Sequence, residues 1–375
     1  MMQLSSRFDS LQPSGIRRFT ALAQTVEDCV MLTLGEPDFP TPAPIKAALS
    51  AALDSDRTHY APNRGTDALR ATIAQYETCR GFPLEADQVI VTAGATGALY
   101  NALLGILDPG DECIIPTPAF PLYESIVRIA GGVPVFLDTR PYGCQVDESA
   151  LQSLVTDKTK AIILNSPNNP TGCVYTQSAL DGVKRAALAR DLWLVCDNVY
   201  SSLCDSACPD LCLDPQLSDR TLLCQSFSKP YAMTGWRIGY LAGPRQVMDK
   251  MVLLQAAQMA SVPTFIQDAC LAALSYDPSA MAESYRQRRE YVCRRLRTMG
   301  LPFHAPQGAF YVFPNIASYG LDSETFATRL IREAKVAVVP GACFRGEGHI
   351  RISCCCSPEA LETGMDRLEA FLQTL

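Results

Sequence analysis

Short apolar runs recur along the chain at intervals that leave room for a helix between most of them. Residues 88–92, 112–115, 133–137, 161–164, 192–196, 221–225 and 238–242 each read as a strand, most of them bounded by Gly, Pro, Asn or Asp. Helical periodicity fits residues 16–25, 45–54, 67–76, 98–107, 247–274 and 284–297, with a break near Ser261-Val262-Pro263. The repeated strand–helix rhythm predicts an α/β fold with a parallel sheet. Residues 89–107 carry no charge and are long enough on paper to span a membrane. Gly94, Gly97, Gly105 and Asn101 fit a strand, a glycine turn and a buried helix better.

Composition narrows the class without naming a chemistry. The 375 residues, 48% hydrophobic and 19% charged, suit an ordinary globular protein with two or more lobes. A balance of 32 basic against 39 acidic residues gives −7 with no basic block, which argues against nucleic acid as a partner. Met1 to Arg7 lack the apolar core of a signal peptide, so a cytoplasmic protein is expected. Its cysteines, 16 in all, are then expected to be reduced. Cys204-x3-Cys208-x3-Cys212 and Cys354-Cys355-Cys356 lack the C-x2-C zinc spacing, and His59, His304 and His349 are scattered. No metal site is expected.

The densest chemistry lies between two strand-like runs, in Ser226-Phe227-Ser228-Lys229-Pro230 and Gly235-Trp236-Arg237-Ile238-Gly239. A lysine at a strand exit forms a Schiff base with an aldehyde when its surroundings keep it partly unprotonated. Two serine hydroxyls and a guanidinium are what a phosphate dianion requires nearby. Alone, the lysine would read as a solvated loop residue; its neighbours decide. Ser-x-Ser-Lys followed by Gly-Trp-Arg-x-Gly resembles the cofactor-lysine segment of the class I and II aminotransferases, which carry pyridoxal phosphate.

Further segments resemble that family in its own order, from about residue 8 to the end. The proline-rich stretch from Leu32 to Pro42 matches an entry segment in which the backbone of Gly35 meets the substrate carboxylate. Tyr60 matches a tyrosine that reaches the cofactor phosphate of a neighbouring subunit. Gly94-Ala95-Thr96-Gly97 opens a helix, where backbone N–H groups and the dipole favour an anion. The resemblance makes that anion the cofactor phosphate, with Ser226, Ser228 and Arg237 as further partners. Phe120 matches an aromatic stacked on the pyridine ring. Within Asn165-Ser166-Pro167-Asn168-Asn169-Pro170-Thr171-Gly172, Asn169 matches a contact to the phenolic oxygen and the substrate carboxylate. Asp197 closes the run 192–196, where open α/β sheets bind ligands, and its match pairs with the pyridine nitrogen. Tyr200 matches a tyrosine bonded to the phenolic oxygen; Asn198 stands where the family often has Glu. Arg351 lies between apolar neighbours, an awkward place for an unpaired charge, and its match takes the substrate's α-carboxylate.

Plainer readings stand beside these. They are a turn tyrosine at Tyr60, a core residue at Phe120, a cap or salt bridge at Asp197 and an ion pair at Arg351. Arg286, Arg288, Arg289, Arg294, Arg295 and Arg297 read as a solvated helix face.

The resemblance implies an aspartate-aminotransferase-like fold. An N-terminal arm with part of a small domain would take 1–45, a large cofactor-binding domain 46–275 and the small domain 276–375. It also implies a homodimer with shared active sites, acting on an L-amino acid of the aspartate or aromatic type and a 2-oxo acid, with Lys229 moving the proton. A pyridoxal-phosphate carbon–sulfur β-lyase, cystathionine β-lyase-like, shares the fold and the lysine but often has His where Tyr200 stands. A nicotinamide dehydrogenase would need a glycine fingerprint that is missing.

Overall fold

The computed structural model describes Ser5, Phe8, Asp9, Leu11 and residues 13–375. Apart from Ser5, the start read above for a signal sequence (residues 1–7) lies outside the described residues. Helix α1 (Gly15–Gln24), strand β1 (Val30–Met31) and helices α2 (Ala43–Asp54) and α3 (Asp67–Cys79) lead into the main body. There β2 (Val89–Thr92), α4 (Gly94–Ile106), β3 (Glu112–Thr117), α5 (Leu122–Ile129), β4 (Val133–Asp138) and α6 (Glu148–Leu154) follow. The body is completed by β5 (Thr159–Asn165), α7 (Gln177–Arg190), β6 (Trp193–Asp197), β7 (Thr221–Ser226) and β8 (Gly239–Ala242). Helices α8 (Arg245–Met259), α9 (Thr264–Leu274) and α10 (Ser279–Thr298) come next. The chain ends in β9 (Tyr311–Val312), α11 (Ser323–Ala334), β10 (Val336–Ala337), β11 (Val339–Pro340), β12 (Ile350–Ser353) and α12 (Pro358–Leu372).

All seven apolar runs become strands of one sheet, in the order β2-β8-β7-β6-β5-β3-β4. The pairs β3–β4, β3–β5, β5–β6 and β6–β7 are parallel, as the strand–helix rhythm predicts. Only β8 runs the other way, antiparallel to both β2 and β7. The reason lies in the connection. A parallel return needs a crossover helix, whereas β7 and β8 are joined by the short Lys229 loop. Successive side chains leave a strand on opposite faces. Ile114, Ile162 and Leu194 therefore enter one core, and Cys113, Ile163 and Val195 the other. A third core joins Phe19 and Leu32 to Tyr285, Phe310, Phe326 and Ile352. There β1 pairs with β10, returning the N-terminal segment to the C-terminal body.

Three expectations change. Residues 286–297 do not form a uniformly solvated arginine face. Arg289 shares the buried stripe of Tyr285, Val292 and Leu296, at three- and four-residue spacing, and is 2% exposed. Its guanidinium donates to the Ala309 carbonyl and pairs with Asp205, while Arg288 pairs with Asp38. The cysteines are not all thiols: Cys204 and Cys208 form a disulfide, their Cα atoms 6.5 Å apart, and the other 14 are free. The helix expected over 98–107 begins at Gly94, so the glycine turn is its first turn. Residues 89–107 are β2 and α4, and no helix among the described residues is long and apolar enough to cross a membrane.

Register aligns Thr92 and Ser226 with Gly239, which sets the start of α4 against β8. A Cβ at Gly239 would lie 2.4 Å from the Gln225 carbonyl oxygen and 2.7 Å from the Gly94 carbonyl carbon. Gly239→Ala should lower the urea-unfolding free energy by about 2 kcal/mol or more, because backbone must shift to admit the methyl. An unchanged midpoint would contradict this packing.

Candidate active site

Strands β2, β5, β6 and β7 deliver Thr92, Asn165, Asp197 and Ser226 to one edge of the sheet, beside the first turn of α4. A cavity of about 270 Å³ opens there. Among the expected residues, Gly35, Ala95, Thr96, Phe120, Asn169, Asp197, Tyr200, Ser226, Ser228, Lys229, Arg237 and Arg351 all line it. Gly94 lies just behind, where a Cβ would stand 2.9 Å from a guanidinium nitrogen of Arg237. Tyr60 does not join them: it is 92% exposed. Asn198 turns away and donates to Asp210 at 2.6 Å.

Lys229 follows β7 in a tight turn, anchored where the Ser228 N–H donates to Ser226 Oγ at 3.0 Å. Its Nζ donates to the Gly35 carbonyl. Burial is the main force on the amine and lowers its pKa to about 8, against an opposing pull from Cys355 and Glu36. Arg237, in a left-handed backbone conformation at φ 54°, donates to the Thr234 carbonyl at 2.8 Å. Among the described residues it has no carboxylate partner. This end of the cavity, with α4 behind it, is suited to an anion.

Asp197 sits deeper, 4% exposed, and among the described residues no cation is paired with it. One oxygen, Oδ2, accepts from the Tyr123 hydroxyl at 2.6 Å; Oδ1 receives only the Val199 N–H, at 3.4 Å. Its backbone carbonyl accepts from Asn165 Nδ2 at 2.9 Å. Burial raises the carboxyl pKa to about 6, although both hydrogen bonds pull it back. The salt-bridge reading of Asp197 is therefore not met.

Arg351 is 2% exposed. Its guanidinium donates to Asn169 Oδ1 at 2.8 Å and to the Thr33 carbonyl at 2.6 Å, and lies over the rings of Tyr311 and Phe344. Among the described residues Nε has no partner, and no carboxylate is paired with this side chain. The ion-pair alternative fails here too. A buried guanidinium with an idle donor is unfinished chemistry.

Three contributors escaped the sequence reading. Tyr123 holds Asp197. Asn165 accepts from the Asn169 N–H at 2.8 Å and so fixes that loop. Tyr311 shares a 2.9 Å hydroxyl contact with Tyr200, and its own hydroxyl would lie 1.9 Å from a Cβ at Gly35, which explains the glycine. The Gly308 to Phe313 run carries Tyr311, but nothing local shows that it reaches this cavity.

A sequence profile of the family described as aminotransferase class I and II matches residues 27–368. The chain belongs to this family. Aromatic-amino-acid aminotransferase 2 of Thermococcus litoralis is 40% identical, covering 99% of this chain and 99% of its own. An aspartate aminotransferase of Pyrococcus abyssi is 41% identical, with 99% of each covered. The structure of Thermus thermophilus aspartate aminotransferase with maleate superposes at TM-score 0.94, with 37% identity and 100% of each chain covered. This aminotransferase therefore has the aspartate-aminotransferase-like α/β fold that the motifs implied, and it is a transaminase.

Burial of Asp197 has a measurable consequence for the ligand-free aminotransferase. Its folded pKa, about 6, lies above the ordinary 3.8, so its contribution is fully present below pH 3.8 and lost as pH rises through 6. Asp197→Asn should thus stabilise the ligand-free protein at pH 8 by about 3 kcal/mol, with the gain shrinking towards pH 4. Melting curves at both pH values check this; a gain independent of pH would contradict it.

Proposed function

We propose that this aminotransferase uses pyridoxal 5'-phosphate to move an amino group from an L-amino acid of the aspartate or aromatic type to a 2-oxo acid. The observation that carries the reading is the charge layout of one cavity: a buried amine, and a buried carboxylate and an arginine that among the described residues have no partner of opposite charge. That layout fits a flat ligand with an aldehyde, a basic ring nitrogen and a phosphate. Bound there, pyridoxal phosphate would supply an electron-withdrawing ring that stabilises negative charge developing at a substrate's α-carbon.

The chain's own residues divide the work. Arg237, Ser226, Ser228 and the backbone of Gly94, Ala95 and Thr96 would hold the phosphate. Asp197 would pair with the ring nitrogen, Phe120 lie against the ring, and Tyr200 and Asn169 serve the phenolic oxygen. Lys229 would be the attachment point. With a pKa near 8, about a tenth of its amine is neutral at pH 7, so Nζ can take a proton from the α-carbon and hand it back. Arg351, joined by Asn169 and the Gly35 backbone, would grip the α-carboxylate and fix the orientation of the α-carbon.

The substrate class is supported by relatives named for aromatic amino acids and for aspartate. The exposure of Tyr60 and of Leu253 on α8, 92% and 65%, supports a homodimer in which Tyr60 completes the neighbouring site. A cytoplasmic setting accords with 14 of the 16 cysteines being free, beside the one Cys204–Cys208 bridge. We assign 46–275 to the large domain, 1–45 to the arm with part of the small domain, and 276–375 to the rest of the small domain.

Lys229→Ala should abolish turnover; full activity in that variant would contradict the assignment. Arg351→Ala should lower kcat/KM roughly 100-fold through KM while the cofactor stays bound. Loss of the cofactor instead would give Arg351 a structural role. A panel of amino acids that bleach the cofactor's visible band, each with a 2-oxo acid omitted or supplied, identifies the substrates. Pyruvate and ammonia release from cystathionine without a 2-oxo acid would indicate a β-lyase.

A further inference from the structure

The contact between Tyr123 and Asp197 has a chemical logic of its own. A buried carboxylate needs a donor, and two kinds are available in principle. An arginine or lysine would neutralise it and leave nothing to attract a positively charged ring. A neutral hydroxyl supports the anion and leaves its charge unspent. Here the donor is a phenol. Tyr123 is 2% exposed, and burial together with the adjacent Asp197 keeps its hydroxyl protonated, well above the usual phenol range. Asp197 is the hydrogen-bond partner found for that hydroxyl.

The placement is equally specific. Tyr123 lies in the first turn of α5, and its ring meets Phe120 edge-on, with centroids 5.8 Å apart and planes at 83°. One short segment thus presents both the aromatic face and the carboxylate's partner. Because Tyr123 occupies Oδ2, the other oxygen, with only a long contact to the Val199 N–H, is left to face a ligand. The other titratable groups close enough to act on the carboxylate are Lys229, Tyr200 and Cys224, and only Lys229 becomes a cation.

We infer that Tyr123 is a positioning residue: its phenol fixes the orientation and negative charge of Asp197, and through them the protonation of the cofactor's ring nitrogen. The inference rests on the pyridoxal-phosphate reading above. Removing the hydroxyl leaves the burial of Asp197 unopposed on that side, so the carboxyl keeps a proton more readily and the ring nitrogen loses its anionic partner.

The test compares the wild-type holoenzyme with Tyr123→Phe, which keeps the ring contact to Phe120. Both are loaded with pyridoxal phosphate labelled with 15N in the ring. The ring-nitrogen chemical shift is followed from pH 6 to 9, alongside cofactor affinity. The wild type should give a pyridinium-like shift. In Tyr123→Phe the shift should move towards neutral pyridine and cofactor Kd should rise about tenfold. 3-Fluorotyrosine at position 123, a stronger donor of nearly the same shape, should move the deprotonation midpoint upwards, and it keeps the question answerable if the phenylalanine variant does not fold. An unchanged shift in either variant, whatever happens to activity, would overturn the role of Tyr123. A wild-type protein that binds no pyridoxal phosphate would overturn the cofactor reading itself.

Discussion

An anion sealed from water at the end of β6, with no cation among the described residues paired to it, is the constraint on which the site depends. Taking a carboxylate out of water is costly, and proteins ordinarily meet that cost with a paired arginine or lysine. Here Asp197 receives a phenol and a distant amide instead. The other ionic groups of the cavity are unfinished in the same way. Arg351 has an idle Nε, Arg237 has a carbonyl where a carboxylate could be, and Lys229 is buried enough to lose its proton readily. These are charges arranged for a guest, and the sheet with its apolar cores supplies the stability that tolerates them.

The topology explains why they meet. Parallel strands bring Asn165, Asp197 and Ser226 to one edge. Reversal of β8 then returns the chain past the same edge, so that Lys229 and Arg237, in one loop, flank the cavity from a single turn. The C-terminal body contributes Arg351 on β12 and Tyr311 on the adjacent β9. The N-terminal stretch is tied in between: the Ser353 N–H donates to the Leu32 carbonyl, and Gly35 lies too close to Tyr311 for any side chain. Three distant parts of the sequence therefore close over one small volume.

Much of this was legible in the chain itself. Strand runs, helix stretches and motifs such as Ser-x-Ser-Lys and Asn-Asn-Pro-Thr-Gly are local signals, because backbone chemistry acts over a few residues. What the chain concealed is what depends on separation in space. Tyr123 lies 74 residues from Asp197, and Tyr200 lies 111 residues from Tyr311; neither pair leaves a mark in local sequence. Arg289 looked like one more surface charge until the pitch of α10 turned it inwards to Asp205. The Cys204–Cys208 bridge likewise depends on how one loop folds back. Tyr60 is the opposite case: the resemblance assigned it a role that one chain by itself does not display.

A crystal structure of the protein with pyridoxal phosphate bound tests the central claim most directly. The ring nitrogen should lie within about 3 Å of an Asp197 oxygen, with the same molecule reaching Lys229 and Arg237. A ring nitrogen turned away from Asp197, or a protein cation standing at that carboxylate, would contradict it.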